Sequence, residues 1–127
     1  MEDKHLSEHR RIKHIALGTG NVSWDLQAPP AATSSQTQLE AELIRKEFTS
    51  VNFVTTGGAV SPTPTNILDC TTTFLESEAV APLVELGLFG GDSTATANSG
   101  SQVNYKTFKV INKPSTSTLT ITVRLLF

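Results

Sequence analysis

The chain has 127 residues, a formal net charge of −2 and one cysteine, Cys70. This length is that of one domain, and a lone cysteine excludes an intrachain disulfide framework. The near-neutral charge argues against a nucleic-acid coat, no apolar run approaches the ~20 residues of a membrane span, and the charged start, Met-Glu-Asp-Lys-His, lacks the apolar segment of a signal peptide.

Charged residues are concentrated in the first part of the chain. Residues 1–49 hold six of the ten Lys and Arg and seven of the twelve Asp and Glu, whereas residues 50–127 hold nine charges and are rich in Thr and Ser. A solvated domain usually carries about a quarter of charged residues, and sheet edges with few charges are poorly protected against association. Two interpretations follow: a Thr-rich solvated sandwich, or a surface covered by copies of the same chain or by a partner.

In chain order, residues 1–11 are a polar arm, either extended or a frayed helix; composition does not decide between the two. Residues 12–17 are predicted to form a first short strand, and residues 18–36 a loop rich in Gly, Pro, Ala and Ser. Nineteen residues without regular structure are many for a compact domain, so this loop is predicted to serve function or an interface.

Residues 37–47 carry the one predicted helix. Ser35 can cap it, and Leu39, Leu43 and Ile44 form a small apolar stripe at helical spacing. A helix of this length requires tertiary packing to be stable.

Beyond residue 48 the apolar residues alternate with a period of two, which is typical of strands with one face in a core. The pattern predicts strands at residues 50–55, 66–77, 82–89, 103–111 and 117–127. The last is the clearest, with apolar side chains on one face at Leu119, Ile121, Val123, Leu125 and Phe127. The predicted fold is all-β: an antiparallel β-sandwich or jelly-roll-like barrel, residues 12–127, with one short helix and an N-terminal arm, residues 1–11.

No set of side chains suggests catalysis, so the sequence predicts a protein that is not an enzyme and has no metal or cofactor. His5 and His9 would share one face of a helix and could begin a zinc site, but no further ligand stands nearby, which favours exposed histidines. Cys70 shares a strand face with Leu68 and Phe74, which favours a buried inert thiol over a nucleophile.

Two residues are unusual for their surroundings. Glu85 stands between apolar residues of a predicted strand. It either points out of the sheet on the alternate side, forms a structural ion pair in the interior with a cation such as Arg45, or acts as a catalytic acid. Trp24, in the long loop, is either a local lid on the core or an interface anchor.

The chain resembles small structural proteins of tailed bacteriophages in four segments that follow one another in the family's order. They are Ile-Lys-His-Ile-Ala-Leu-Gly-Thr-Gly at 12–20, Thr-Gln-Leu-Glu-Ala-Glu-Leu-Ile-Arg at 37–45, Val-Glu-Leu-Gly-Leu-Phe with Gly-Gly-Asp at 84–92, and Asn-Lys-Pro at 112–114 before the last strand. The group includes capsid decoration (cement) proteins and modules of tail fibres and collars. The family's acidic residue after Gly-Leu-Phe is displaced here to Asp92, and no long shaft follows, which favours a stand-alone virion protein over a fibre.

The resemblance implies a β-sandwich or jelly-roll-like fold, usually trimeric. Our first hypothesis is a capsid decoration protein that binds the outer surface of the coat lattice as a homotrimer and stabilises the head. Its partners would be itself and the major capsid protein, without nucleic acid or membrane; it would be made in the host cytoplasm and reside in the virion. The alternatives are a neck, baseplate or tail-fibre adaptor and, from another class, a carbohydrate-binding module.

Interface contacts are expected from the arm and the long loop, because these segments are the least core-like. The candidate residues are His5, Leu6, His9, Arg10, Arg11, Trp24, Pro29 and Pro30.

Overall fold

A computed structural model describes residues 12–33 and 35–126 of the chain. In these ranges the protein is all-β, with seven strands and no helix. The strands are β1 Ile12–Gly18, β2 Glu42–Glu47, β3 Ser50–Phe53, β4 Ile67–Phe74, β5 Pro82–Gly90, β6 Ser101–Asn112 and β7 Leu119–Leu126. The described residues contain no helix with the length and apolar character needed to cross a bilayer. The predicted arm, residues 1–11, lies outside the described residues.

The strands form two antiparallel sheets. The larger sheet has the order β2-β1-β5-β6, and the smaller one has the order β3-β4-β7. Strands distant in sequence are therefore neighbours: β5 lies between β1 and β6, and β7 pairs with β4 along its whole length. The all-β, antiparallel part of the prediction is confirmed, whereas this order of four and three strands does not confirm a jelly-roll arrangement.

One hydrophobic cluster holds residues of both sheets. Leu17 and Leu88 contribute from the larger sheet, and Leu68 and Phe74 from the smaller one. The period of two in the last strand is confirmed: Leu119, Ile121, Val123 and Leu125 contact this cluster, while the residues between them are exposed. Phe127, predicted to continue that face, lies outside the described residues.

The larger sheet is covered on its other face by two connections. They are the β1–β2 loop, residues 19–41, and the β5–β6 loop, residues 91–100. Leu39 of the first packs against Ala16 and Phe89 in a second apolar cluster. A Cβ atom on Gly87 would lie 2.7 Å from Cδ1 of Leu39, so the loop can approach β5 this closely only over a glycine. Cover on both faces explains why β5 is buried from Leu83 onwards and reads as a continuous apolar run.

The predicted helix at residues 37–47 is wrong. Residues 42–47 are strand β2, which pairs with β1, and residues 37–41 have no regular structure. The hydroxyl of Ser35 does not cap a helix but lies 3.1 Å from that of Thr33. A helix of this length is marginal by itself, and pairing with β1 satisfies the backbone groups of β2 instead.

Candidate interaction surface

The two ends of the β1–β2 loop are held by one buried carboxylate. Glu85 of β5 is fully buried. Its Oε2 accepts hydrogen bonds from the backbone N–H groups of Gly20 and Ala41, both at 2.9 Å. Its Oε1 accepts from the backbone N–H of Glu40 at 2.8 Å and from the hydroxyl of Tyr105 at 2.6 Å. We call this arrangement the Glu85 clasp; it fixes where the loop leaves β1 and where it enters β2.

The clasp satisfies a carboxylate that burial would otherwise penalise. A buried ionised group is tolerated when its oxygens are fully hydrogen-bonded, and four donors meet this need. One of the four donors is the hydroxyl of Tyr105. Burial, and then the hydrogen bond to Glu85, raise the pKa of Tyr105 far above its usual range. Tyr105 therefore stays a hydrogen-bond donor at every physiological pH.

The predicted ion pair between Arg45 and Glu85 is wrong. Arg45 instead binds Glu42, with Nε and Nη2 each 2.7 Å from a carboxylate oxygen, and both side chains are 2% exposed. Register explains the difference. On the intervening strand β1, Arg45 lies opposite Ala16 and Glu85 lies opposite Gly18, so the two side chains are separated both across and along the sheet.

The Arg45–Glu42 pair also fixes the β5–β6 loop. Nη1 of Arg45 donates to the carbonyls of Thr94 at 3.2 Å and Ser99 at 3.0 Å, and Glu42 accepts from the backbone N–H of Asn98 at 3.0 Å. The guanidinium stacks over the ring of Phe89, 4.4 Å from its centre. A single ion pair thus joins β2, β5 and the loop beyond β5.

A histidine lies under the same loop. Nδ1 of His14 is 2.8 Å from the hydroxyl of Ser93, and both residues are buried. Burial, and then the positive charge of Arg45, lower the pKa of His14 below its usual value. His14 is thus neutral in the folded protein at pH 7.

We expect the stability of the protein to fall as the pH drops below about 6.5, the pKa of an unfolded histidine. Because the folded pKa of His14 is lowered, the unfolded chain binds the proton first, and stability is lost as the pH falls from the unfolded pKa towards the folded one. The loss is at most about 1.4 kcal/mol per pH unit. Urea unfolding at pH 7.5 and 5.5 measures it. His14→Gln should reduce the pH dependence, and an unchanged dependence in that variant would contradict the assignment.

Trp24 packs locally within the β1–β2 loop. Its side chain is half-buried and lies over Gly20, which has a positive φ of 73°. A Cβ atom on Gly20 would lie 2.5 Å from Cε3 of Trp24 and 2.6 Å from Cγ2 of Val84. Trp24 therefore packs over Gly20, which itself lies beside Val84 of β5, as expected of a local lid.

The loop then runs along the outer side of β6. The carbonyl of Leu26 accepts a hydrogen bond from the N–H of Val110 at 2.9 Å, and the carbonyl of Pro30 accepts from the hydroxyl of Thr107 at 2.6 Å. Pro29 is half-buried and Pro30 is exposed. Two of the predicted interface residues therefore lie where the loop is attached to β6.

Sequence reasoning missed the most exposed apolar side chain of this loop. Val22 is fully exposed and Leu26 is partly exposed. Between them lies Trp24, and Asn21 fixes the turn by accepting hydrogen bonds from the N–H and hydroxyl of Ser23 at 2.9 and 2.8 Å. The sequence signal that could have located this surface is the alternation of Val22, Trp24 and Leu26 in a polar loop. We call these three residues and the prolines the loop face; it is the best candidate interaction surface among the described residues.

The sequence model of one protein family, described as baseplate wedge 3 tail fiber network component, matches residues 4–79. This is more than half of the chain. The chain belongs to this family. No curated protein matches the chain. The matched segment includes strands β1 to β4 and the whole β1–β2 loop.

Membership in the baseplate wedge 3 tail fiber network family makes the chain a phage structural protein and a component of the virion. The phage part of the predicted resemblance is thus confirmed. Of the two virion positions predicted from the sequence, the match supports the tail rather than the capsid surface.

Residues 80–126 lie beyond the family match but contribute strands to both sheets. They supply β5 and β6 to the larger sheet and β7 to the smaller one. They also supply Glu85, which holds the loop of the matched segment. In this family member the interaction surface therefore depends on residues from outside the matched part.

The other residues singled out from the sequence are five of the N-terminal arm and Cys70. His5, Leu6, His9, Arg10 and Arg11 lie outside the described residues. Cys70 is fully buried in the core. Burial, and then the charge of Asp69, raise its pKa to about 12, so that its thiol stays protonated and inert at neutral pH.

Proposed function

We propose that this baseplate wedge 3 tail fiber network family member is an adaptor of the phage tail, a small β module without catalytic activity that joins baseplate and fibre proteins. We infer that its two sheets pack face to face as a sandwich and that the loop face of residues 22–30 carries the contact. The observation that carries the proposal is the family match, which includes this whole loop.

The loop face has the composition of a protein contact. Val22 is fully exposed, Leu26 is partly exposed and the half-buried Trp24 lies between them. Aromatic and aliphatic anchors in the centre of a contact supply most of its affinity. No charged side chain other than Asp25 interrupts residues 21–33, so a partner would meet a largely uncharged surface.

The loop is also held in shape before any partner binds. The Glu85 clasp holds both ends, and hydrogen bonds to Val110 and Thr107 hold the middle against β6. A preorganised surface loses less conformational entropy on binding than a mobile one. A loop held in one shape against the sheet suits a connector that must set the geometry between larger parts.

The alternatives receive less support. The capsid decoration hypothesis requires the head surface, which the family description does not mention. A carbohydrate-binding module would present a cluster of exposed aromatic rings, whereas Tyr105 is hydrogen-bonded to the buried Glu85, which leaves Trp24 as a single amphipathic ring. The homotrimer and the major capsid partner, both implied by the resemblance, remain predictions.

Copy number in the virion tests the position. An adaptor at the baseplate is expected in about three to twelve copies, and a decoration protein in roughly hundreds, as the symmetry of tail and head requires. Quantitative gel densitometry of purified virions, with antibody labelling to locate the protein, measures both. Hundreds of copies on the head would overturn the adaptor proposal.

We expect Val22→Asp to reduce incorporation of the protein into virions by about tenfold or more, because a charge replaces an exposed anchor of the loop face. Folding should be unchanged, since Val22 is fully exposed. Virions assembled with the variant in place of the wild type are purified and quantified. Val60→Asp is the matched control, an exposed valine in the connection between β3 and β4. Equal incorporation of both variants would exclude the loop face as the contact.

A further inference from the structure

Three of the four sheet edges are protected against pairing with another strand. Edge strand β6 is covered by the β1–β2 loop, whose Leu26 carbonyl accepts a hydrogen bond from Val110. Edge strand β2 carries Lys46 and Glu47 in addition to its buried Glu42–Arg45 pair. Edge strand β3 has only four residues. Cover, charge and shortness are the usual protections of natural sheet edges.

Strand β7, the fourth edge, has none of these protections. Its eight residues pair with β4 in an unbroken register, from Leu119 opposite Phe74 to Leu126 opposite Ile67, without a bulge or a proline. Its one charge, Arg124, is neutralised by Asp69 at 2.8 and 3.0 Å. Within residues 12–33 and 35–126, no segment pairs with β7 on the side away from β4. An edge that is long, regular and nearly uncharged is available for strand addition.

The two faces of β7 are regular as well. On the outer face, hydroxyl groups form cross-strand hydrogen bonds, Thr71 with Thr122 at 2.9 Å and Thr73 with Thr120 at 3.0 Å. On the inner face, aliphatic side chains contact the core. A strand added to this edge must therefore alternate aliphatic and small polar residues in the same phase.

We propose that β7 pairs antiparallel with β7 of a second copy of this chain, across a two-fold axis near Thr122, so that two three-stranded sheets become one of six strands. This inference does not depend on the position of the protein in the virion.

A second copy supplies the complementary pattern. With the axis at Thr122, Ile121 lies opposite the partner's Val123, and Thr120 lies opposite the partner's Arg124. Aliphatic side chains meet aliphatic ones, and no two arginines face each other, which avoids the penalty of like charges in directly opposed positions. The same surface is used by both copies, as in other two-fold contacts. The product is a dimer and not the trimer implied by the resemblance.

The contact is small, so the dimer should be weak. A single pair of edge strands buries less than the ~800 Å² per partner of a standard interface. We therefore expect a dissociation constant of about micromolar or weaker. Sedimentation velocity of the full chain, from about 1 to 200 µM, should show a monomer converting to a dimer across this range.

Thr122→Lys tests the contact, because it places two lysines opposite each other at the axis. We expect this variant to raise the dissociation constant about tenfold or more. Ser50→Lys, an exposed position on edge strand β3 of the same sheet, adds the same charge and should leave it unchanged. Thermal unfolding at low concentration shows whether each variant folds. A chain that stays monomeric throughout, a trimer, or a dimer equally stable in both variants would overturn the proposal. So would a dimer that forms only after deletion of residues 1–11, since that segment would then be the occupant of the edge.

Discussion

Glu85→Gln should destabilise the protein by about 2–4 kcal/mol, since each buried donor left unsatisfied costs about 1–3 kcal/mol. Both carboxylate oxygens of Glu85 accept two hydrogen bonds: Oε1 from Glu40 and Tyr105, and Oε2 from Gly20 and Ala41. The amide nitrogen of glutamine would face two donors in either orientation. Replacing one carboxylate oxygen by the amide nitrogen thus breaks two hydrogen bonds and places the N–H groups of the amide against other donors.

Urea unfolding at pH 7 measures the loss. Glu76→Gln, which makes the same change at an exposed position, is the matched control and should cost less than about 0.5 kcal/mol. Tyr105→Phe removes a single donor and should cost about 1 kcal/mol. Amide hydrogen exchange of Gly20 and Ala41 should also accelerate in Glu85→Gln. Equal stability of the Glu85 and Glu76 variants would show that the clasp contributes nothing.

The second large effect is expected at the buried ion pair. Arg45→Met should destabilise the protein by about 3–5 kcal/mol, because it leaves a buried carboxylate without its cation. Glu42 is 2% exposed in the folded protein and has no bulk solvent to replace the guanidinium. The carbonyls of Thr94 and Ser99 lose their donor as well, so the β5–β6 loop should become more mobile.

A second arginine offers a matched control. Arg124 also binds a carboxylate through two nitrogen atoms, but its side chain is 48% exposed. Arg124→Met should therefore cost much less than Arg45→Met, because an exposed ion pair is screened by solvent. The double variant Glu42→Gln/Arg45→Met should regain part of the loss, since it removes the unpaired charge. The assignment fails if Arg45→Met costs no more than Arg124→Met in the same unfolding measurement.

Every strand except β2 was predictable from the sequence, because the pattern of apolar residues along a strand is local. Alternation in β7 and the apolar run of β5 both follow from which faces are covered. Strand β2 was not predictable in this way. Leu39 and Leu43 have helical spacing, yet Leu39 packs from the β1–β2 loop against the larger sheet and Leu43 is exposed. The structure of residues 42–47 is decided by pairing with β1. This contact joins residues that are distant in the sequence, so it produces no periodic pattern of apolar residues.

The candidate site was predicted only in part. The sequence shows that Glu85 is unusual in an apolar strand, but its partners are mostly backbone N–H groups, which every residue except proline possesses. A search for a cation therefore selected Arg45, whose real partner, Glu42, lies three residues away. Trp24 could be located in the loop, whereas its contact with Gly20 depends on the positive φ of that glycine.

The Glu85 clasp has a consequence for the order of events during synthesis. The carboxylate lies 65 positions after Gly20 and 44 positions after Ala41 along the chain. A nascent polypeptide that has emerged only as far as β4 lacks the acceptor that shapes the loop. Contacts between residues so far apart in the sequence slow folding, and the β1–β2 loop can reach its final shape only after β5 has been synthesised.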